Sequence, residues 1–216
     1  MRCGMLWHMK KDELQAIAHF IYEAGILSKT PRSGLWFLGT GDQSVAEHLL
    51  RTTYIAYALC HLAPKADRSK VILMSIFHDF AEGRTSDLNY VHQRYGRLAE
   101  SEAFKDIAKV VPFGGEMAAF YTEEQAKQTF EAKLVKDSDQ IEWLATLREE
   151  ELKGNAKAKA WQKSAYKRLK TPQGKAVGKY LLSTHSDAWW FDSNDKWFVS
   201  RDPKFIKKKN LRTKKK

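Results

Sequence analysis

His78 and Asp79 are adjacent in Phe77-His78-Asp79-Phe80-Ala81-Glu82-Gly83; His48 lies upstream in Ser44-Val45-Ala46-Glu47-His48, and Asp139 downstream in Val135-Lys136-Asp137-Ser138-Asp139. Two imidazoles and two carboxylates make a donor set suited to a divalent cation of intermediate hardness. Mn, Co, Fe, Ni and Zn all satisfy it, whereas Mg is less natural beside an imidazole pair. One bound ion is the expectation. A single histidine on an apolar helix is more often a satisfied core residue than a ligand, so the weight rests on the four residues together.

Helices must position these groups. Asp12 to Ala24, with Leu14, Ile17, Ala18 and Ile21 at helical spacing, predicts a first helix that Gly25 stops. A Gly-, Pro- and Thr-rich loop over 28–42 follows, and Ser44 with Glu47 three residues on forms a capping-box pattern that presents His48 from the first turns of a second helix. Asp67 can cap a third helix through Val71, Met74 and Phe77, ending near Gly83. Such a helix puts His78 and Glu82 on one face, with Asp79 about 100° round the axis. A cation held by His78 and Asp79 then leaves Glu82 close but unligated, a sensible place for an acid or base.

Residues 97–109 and 122–132 read as further helices on either side of a break at Val111-Pro112-Phe113-Gly114-Gly115. Lys133 to Leu152, with Leu134, Val135, Ile141, Leu144 and Leu147 inward, carries Asp139 into the interior, where a carboxylate needs a partner such as a metal. Helices are also expected from beyond Gly154 to about Arg168 and from Gln173 to Ser183. The aromatic stretch from Trp189 to Val199 reads as a short hairpin or docked extension, with a packing or dimer role. The expected fold class is all-α: a single helical bundle with a basic, partly irregular C-terminal extension.

Composition narrows the function. With 216 residues and 43% apolar content, the chain can bury one core but has little room for two catalytic domains. The N-terminal residues lack a signal pattern, and Val71 to Phe77, the longest apolar helical run, is far below the roughly 20 residues that span a bilayer. A soluble cytoplasmic protein without membrane contact is expected. Cys3 and Cys60 indicate neither a disulfide framework nor a thiolate zinc site, and Cys60 reads as a small buried side chain. The net charge of +11 is concentrated in two stretches without acids: nine basic residues from Lys153 to Tyr180 and eight from Lys204 to Lys216; the remainder carries −6. The tail should be disordered, and such a stretch can attract RNA, DNA or anionic surfaces by salt-sensitive, non-specific contact.

The order His, His-Asp, Asp, with long helical intervals, resembles the HD-domain family of metal-dependent phosphohydrolases. Four blocks narrow the resemblance to its small 5'-nucleotidase branch: Pro31-Arg32-Ser33-Gly34, then Ser-Val-Ala-Glu-His, then His-Asp-x-x-Glu followed by Thr85-Ser86-Asp87, then Val-Lys-x-x-Asp. The match runs over about residues 12–180. The expected organisation is an HD bundle over 1–185, an aromatic extension over 186–203 that resembles nothing in the family's shared core, and a basic tail over 204–216. By the same resemblance His48, His78, Asp79 and Asp139 hold the metal and Glu82 does acid/base work. Asp87 orients the attacking water or aids the leaving group, and Arg32 binds phosphate.

The implied substrates are nucleoside 5'-monophosphates, deoxyribonucleotides among them, and a homodimer is implied as well. The structural readings are a surface glutamate for Glu82, a helix cap for Asp87 and an exposed loop charge for Arg32. Trp36 is at least as well explained by packing as by base stacking. His8, His19, His61, His92 and His185 read as surface or packing residues. There is no further adjacent histidine pair, as two-metal variants would have, and no Gly-Tyr-Pro block. Leu88 to Tyr95 departs from the Pro- and Glu-rich continuation of the branch, which leaves base and sugar preference open. Two other readings are an HD-type hydrolase of nucleoside triphosphates or guanosine polyphosphates, and a nucleotide- or RNA-binding module.

Overall fold

A computed structural model describes residues 10–205; all statements of structure below concern these. They are helical throughout, without a strand; one isolated bridge joins Pro31 to Ser44. The helices are α1 (Lys11–Ile26), α2 (Gly34–Leu38), α3 (Val45–Leu62), α4 (Arg68–Phe77), α5 (Glu82–Thr85), α6 (His92–Tyr95), α7 (Glu100–Val110), α8 (Gly114–Ala126), α9 (Phe130–Leu152), α10 (Ala156–Lys167), α11 (Pro172–Ser183) and α12 (Lys196–Ser200). No helix is long and apolar enough to cross a membrane. The chain divides into two compact units, one ending at Ser183 and the other starting at Thr184.

The 23-residue helix α9 is the axis of the first unit. Its Leu134, Val135, Ile141, Leu144 and Leu147 are all buried, as their spacing predicts. They pack with Ala56 and Leu59 of α3, Val71 and Met74 of α4, and Ala158 and Ala165 of α10. A second apolar cluster joins Val45 and Leu49 of α3 to Phe104 and Ile107 of α7 and Met117 and Tyr121 of α8. The interior therefore grips α3 and α9 along their lengths, and these two helices carry His48 and Asp139. Cys60 is buried in the core, as expected; Cys3 lies outside the described residues.

The capping box at α3 is present. Ser44 Oγ accepts from Glu47 N at 3.2 Å, and Glu47 Oε2 accepts from Ser44 N at 2.6 Å. Asp67 caps α4 by accepting from Lys70 N.

Several expectations need correction. Gly25 does not stop α1, which runs to Ile26 and tightens into a 3-10 turn over Leu27–Lys29; Leu14 and Ile21, expected inward, are exposed. The 28–42 loop contains α2, which ends at Gly39 with φ 84°, a left-handed cap that favours glycine. Gly114-Gly115 opens α8 rather than breaking a pattern. A Cβ on Gly114 would sit 1.7 Å from the Ala108 carbonyl oxygen, so the close approach of α8 to α7 requires glycine there. The 122–132 helix is two pieces: Lys127, at φ 53°, ends α8, and Thr129 caps α9.

The aromatic stretch forms no hairpin. Asp195 caps the short α12, and Trp190, Phe191 and Phe198 pack ring against ring with centroids 5.2–6.1 Å apart. Of the basic tail, all but residues 204 and 205 lies outside the described residues.

Candidate active site

The helix expected to run on to Gly83 ends at Phe77. From there the backbone tightens, with Phe80 N bonding to Phe77 O, Glu82 N to Asp79 O and Gly83 N to Phe80 O, each three residues back, before α5 resumes. This 3-10 winding alters the angular spacing of His78, Asp79 and Glu82 from that of a regular α-helix. His78 and Asp79 still lie beside His48 and Asp139, and Glu82 lines the same cavity as Asp79 and Asp139.

His48 and His78 are both buried, and each ring is anchored through Nδ1. His48 Nδ1 lies 2.7 Å from Glu142 Oε2, and His78 Nδ1 lies 2.9 Å from the Ser75 carbonyl oxygen. A neutral imidazole so anchored donates its Nδ1 proton and leaves a lone pair on Nε2. Both Nε2 atoms are buried and lack a hydrogen-bond partner.

His48, His78 and Asp139 each offer a ligand atom within 4.8 Å of the others. Asp79 Oδ2 lies 3.3 Å from His78 Nε2 and 3.4 Å from His48 Nε2, and Asp139 Oδ1 lies 3.5 Å from His48 Nε2. Two orphaned imidazole nitrogens facing two carboxylates fit a divalent cation. The electrostatics agree: burial pulls His78 down, yet the charges of the adjacent Asp79 and of Asp139 lift it to about 9. The cluster favours positive charge at its centre.

Glu82 stands beside this cluster, its Oε2 buried without a hydrogen-bond partner. Burial and the nearby Asp79 charge push it up to about 11, against the opposing pull of Arg32. Arg32 Nη1 lies 3.4 Å from Asp79 Oδ2, 3.5 Å from Asp87 Oδ1 and 3.9 Å from Glu82 Oε2. Asp87 is tied to the arginine's own loop: its Oδ2 accepts from Ser33 N at 2.6 Å and its carbonyl from Ser33 Oγ at 2.8 Å. Ser86, at φ 70° and ψ 164°, makes the turn that brings Asp87 in, a conformation otherwise nearly reserved for glycine. All seven residues singled out in the sequence converge.

Five of them line a cavity of about 280 Å³, with His48 and His78 buried behind Asp79 and Asp139. Arg32, Asp79, Glu82, Asp87 and Asp139 lie at one side; Leu88, Tyr90, Gln140, Trp143 and Arg168 continue the lining. Trp143, not Trp36, is the tryptophan in that lining. Trp36 is exposed and packs edge-on against His92, which gives both of them packing roles.

Sequence reasoning missed Glu142 and Lys136. Glu142 is fully buried; its Oε1 accepts from Arg51 Nε at 2.9 Å, Arg51 Nη2 at 2.7 Å and Gln43 Nε2 at 2.7 Å. Lys136 Nζ donates to Asp139 Oδ2 at 2.6 Å. Both lie three residues from Asp139, on its face of α9. A glutamate amid the inward Ile141 and Leu144 was the available signal. Asp137, by contrast, is structural, accepting from Lys170 N and from Thr171 N and Oγ1 to anchor the start of α11.

The chain is similar to known proteins over the stretch that carries these residues. A 5'-deoxynucleotidase from Schizosaccharomyces pombe is 30% identical over 139 residues, covering 60% of this chain and 69% of the relative. The human 5'-deoxynucleotidase HDDC2 is 24% identical over 136 residues, covering 60% of this chain and 66% of the relative. A Magnetospirillum magnetotacticum structure described as a predicted metal-dependent phosphohydrolase superposes with a TM-score of 0.62 at 20% identity, over 80% of this chain and 92% of that one. The HD domain model matches residues 24–180, the stretch that holds the whole cluster, and the chain belongs to the HD domain family.

Proposed function

We propose that this chain is a metal-dependent phosphomonoesterase that hydrolyses nucleoside 5'-monophosphates, deoxyribonucleotides among them, to nucleoside and phosphate. One observation carries the reading: two buried, unpartnered imidazole Nε2 atoms converge with Asp79 and Asp139 at a pocket that also holds a guanidinium and a buried carboxyl. The 5'-deoxynucleotidase relatives supply the substrate class. The cavity, near the lower end of the usual range for small-molecule sites, suits one phosphate and one nucleoside.

His48, His78, Asp79 and Asp139 would hold one divalent transition-metal ion, which when bound supplies Lewis acidity to activate water and screen the phosphate. Arg32, presented by the Pro31–Ser33 loop and held in place by Asp87, binds the phosphate oxygens. Glu82 accepts the proton of the attacking water; its carboxyl, raised by burial and the Asp79 charge, falls once a cation offsets that charge. Water oxygen bonds to phosphorus as the bond to the nucleoside O5' breaks; the departing O5' takes a proton from solvent, and Glu82 returns to solvent the one it accepted. Asp87, on the same wall, is placed to assist that departure.

We also propose a homodimer, supported by the exposed stripe of Leu50, Tyr54 and Tyr57 at i, i+4 and i+7 on α3; sedimentation velocity tests it. The activity is tested by phosphate release from ribo- and deoxyribonucleoside monophosphates by metal-stripped protein, with Mn, Co, Zn and Mg restored separately. Metal-dependent release is expected. Silence across the panel with metal bound would overturn the reading.

A further inference from the structure

The mechanism leaves Arg168, a charged group of the pocket, without a task. Arg168, the residue that ends α10, lies with its guanidinium over the Tyr90 ring, 4.7 Å from the centroid. Its Nη1 donates to Gln140 Oε1 at 3.1 Å and also to the Tyr90 hydroxyl. Gln140 is buried and donates through Nε2 to Asp139 Oδ2 at 3.1 Å, so its amide is engaged at both ends. Arg168 is thus a half-buried, oriented guanidinium lining the cavity, and its Nε and Nη2 have no protein acceptor among the described residues.

The chain of contacts from Asp139 through Gln140 to Arg168 sets a direction. On the nucleotidase reading, a phosphate at the histidine cluster leaves the part of the cavity lined by Gln140, Tyr90 and Arg168 for the nucleoside. A fixed guanidinium fork is complementary to carbonyl oxygens and opposes amino groups, since both would be donors. We infer that Arg168 is a specificity-determining residue that reads an oxo group on the base edge, favouring oxo bases over their amino counterparts. This rests on the nucleotidase reading of the pocket. Tyr90, by stacking, and Gln140, by hydrogen bonding, are the positioning residues that hold the fork.

Two substrate pairs test the effect, because within each pair an oxo group replaces an amino group while the adjacent ring nitrogen changes from acceptor to donor: dIMP against dAMP, and dUMP against dCMP. For the metal-loaded full chain, kcat/KM should favour the oxo member of each pair by roughly tenfold. Arg168→Ala should bring both ratios close to one, and Arg168→Lys should restore only part of them, since an ammonium lacks the fork. Equal rates within the pairs in the wild type, or an equal loss on all four substrates in Arg168→Ala, would make Arg168 a structural tie and overturn the inference.

Binding of the nucleosides deoxyinosine and deoxyadenosine, measured by calorimetry, separates this from failure of the nucleotidase reading. An Arg168-dependent preference for deoxyinosine without turnover of any nucleotide would sink the activity and keep the recognition. Equal or absent binding of the two nucleosides would sink the recognition.

Discussion

The Glu142 carboxylate meets the His48 imidazole at 2.7 Å, Oε2 to Nδ1, with neither side chain exposed. Arg51 and Gln43 hold the other carboxylate oxygen from the far side, so the glutamate cannot swing away without leaving buried groups unpaired. The pair fixes the ring's rotation and tautomer and directs Nε2 at Asp79 and Asp139. A carboxylate behind a ligating histidine also raises the ligand's basicity.

Replacing Glu142 by Gln should therefore weaken metal binding by about 10- to 100-fold while the helical circular dichroism is kept. Competition with a chromogenic chelator measures it. Unchanged affinity would show that Glu142 serves packing alone.

Acid sensitivity has the same origin. Burial pushes Glu142 up, but the His48 hydrogen bond and the charges of His48 and Arg51 outweigh it and bring the group down to about 2 from the usual 4.5. A carboxylate depressed in the folded state adds stability above its unfolded value, and that stability is lost as pH falls through the folded one. The displacement is worth roughly 3 kcal/mol. Metal-free protein should lose melting temperature steeply between about pH 4.5 and pH 2, and Glu142→Gln should show a shallower slope over that window.

Glu82 and Asp79 should separate on mutation. Glu82→Ala removes a buried carboxyl that has an unpartnered oxygen, so the fold and the metal should survive while kcat falls by about 100-fold or more. Asp79→Asn should lose the ion. Near-normal turnover in Glu82→Ala would remove Glu82 from the reaction.

Arg32→Ala should chiefly raise KM for phosphate monoesters, by roughly tenfold or more, the value of a charge-assisted hydrogen bond. Arg32→Lys should recover part of the loss, because it still neutralises Asp79 and Asp87. Steady-state kinetics on a single nucleotide decide it, and an unchanged KM would place Arg32 outside the phosphate site.

Gly114→Ala tests the fold alone. The added methyl would collide with the Ala108 backbone at the α7–α8 junction, so a loss of about 1–3 kcal/mol in denaturant unfolding is expected.

What could be read beforehand was local or ordered along the chain. The capping box at Ser44 and Glu47 spans one turn and is written in adjacent residues, so the start of α3 and the place of His48 followed directly. The inward face of α9 followed from periodicity, and with it the burial around Asp139. The end of the third helix did not follow. Winding by three residues instead of four around Asp79 has no local signature comparable with a proline or a cap, and the packing of Phe80 and Ala81 in the second apolar cluster accompanies it.

By itself, the sequence determined the helical class and the order in which His48, His78, Asp79 and Asp139 occur along it, because residue type and 3.6-residue periodicity are properties of the chain. Tertiary structure alone decided which partners complete them. Glu142 is 94 residues from His48, Asp87 is 54 from Ser33, and Arg168 is 78 from Tyr90. Contacts at such separations depend on how helices pack, and helix packing is set by the shape of the whole interior rather than by any local stretch of it.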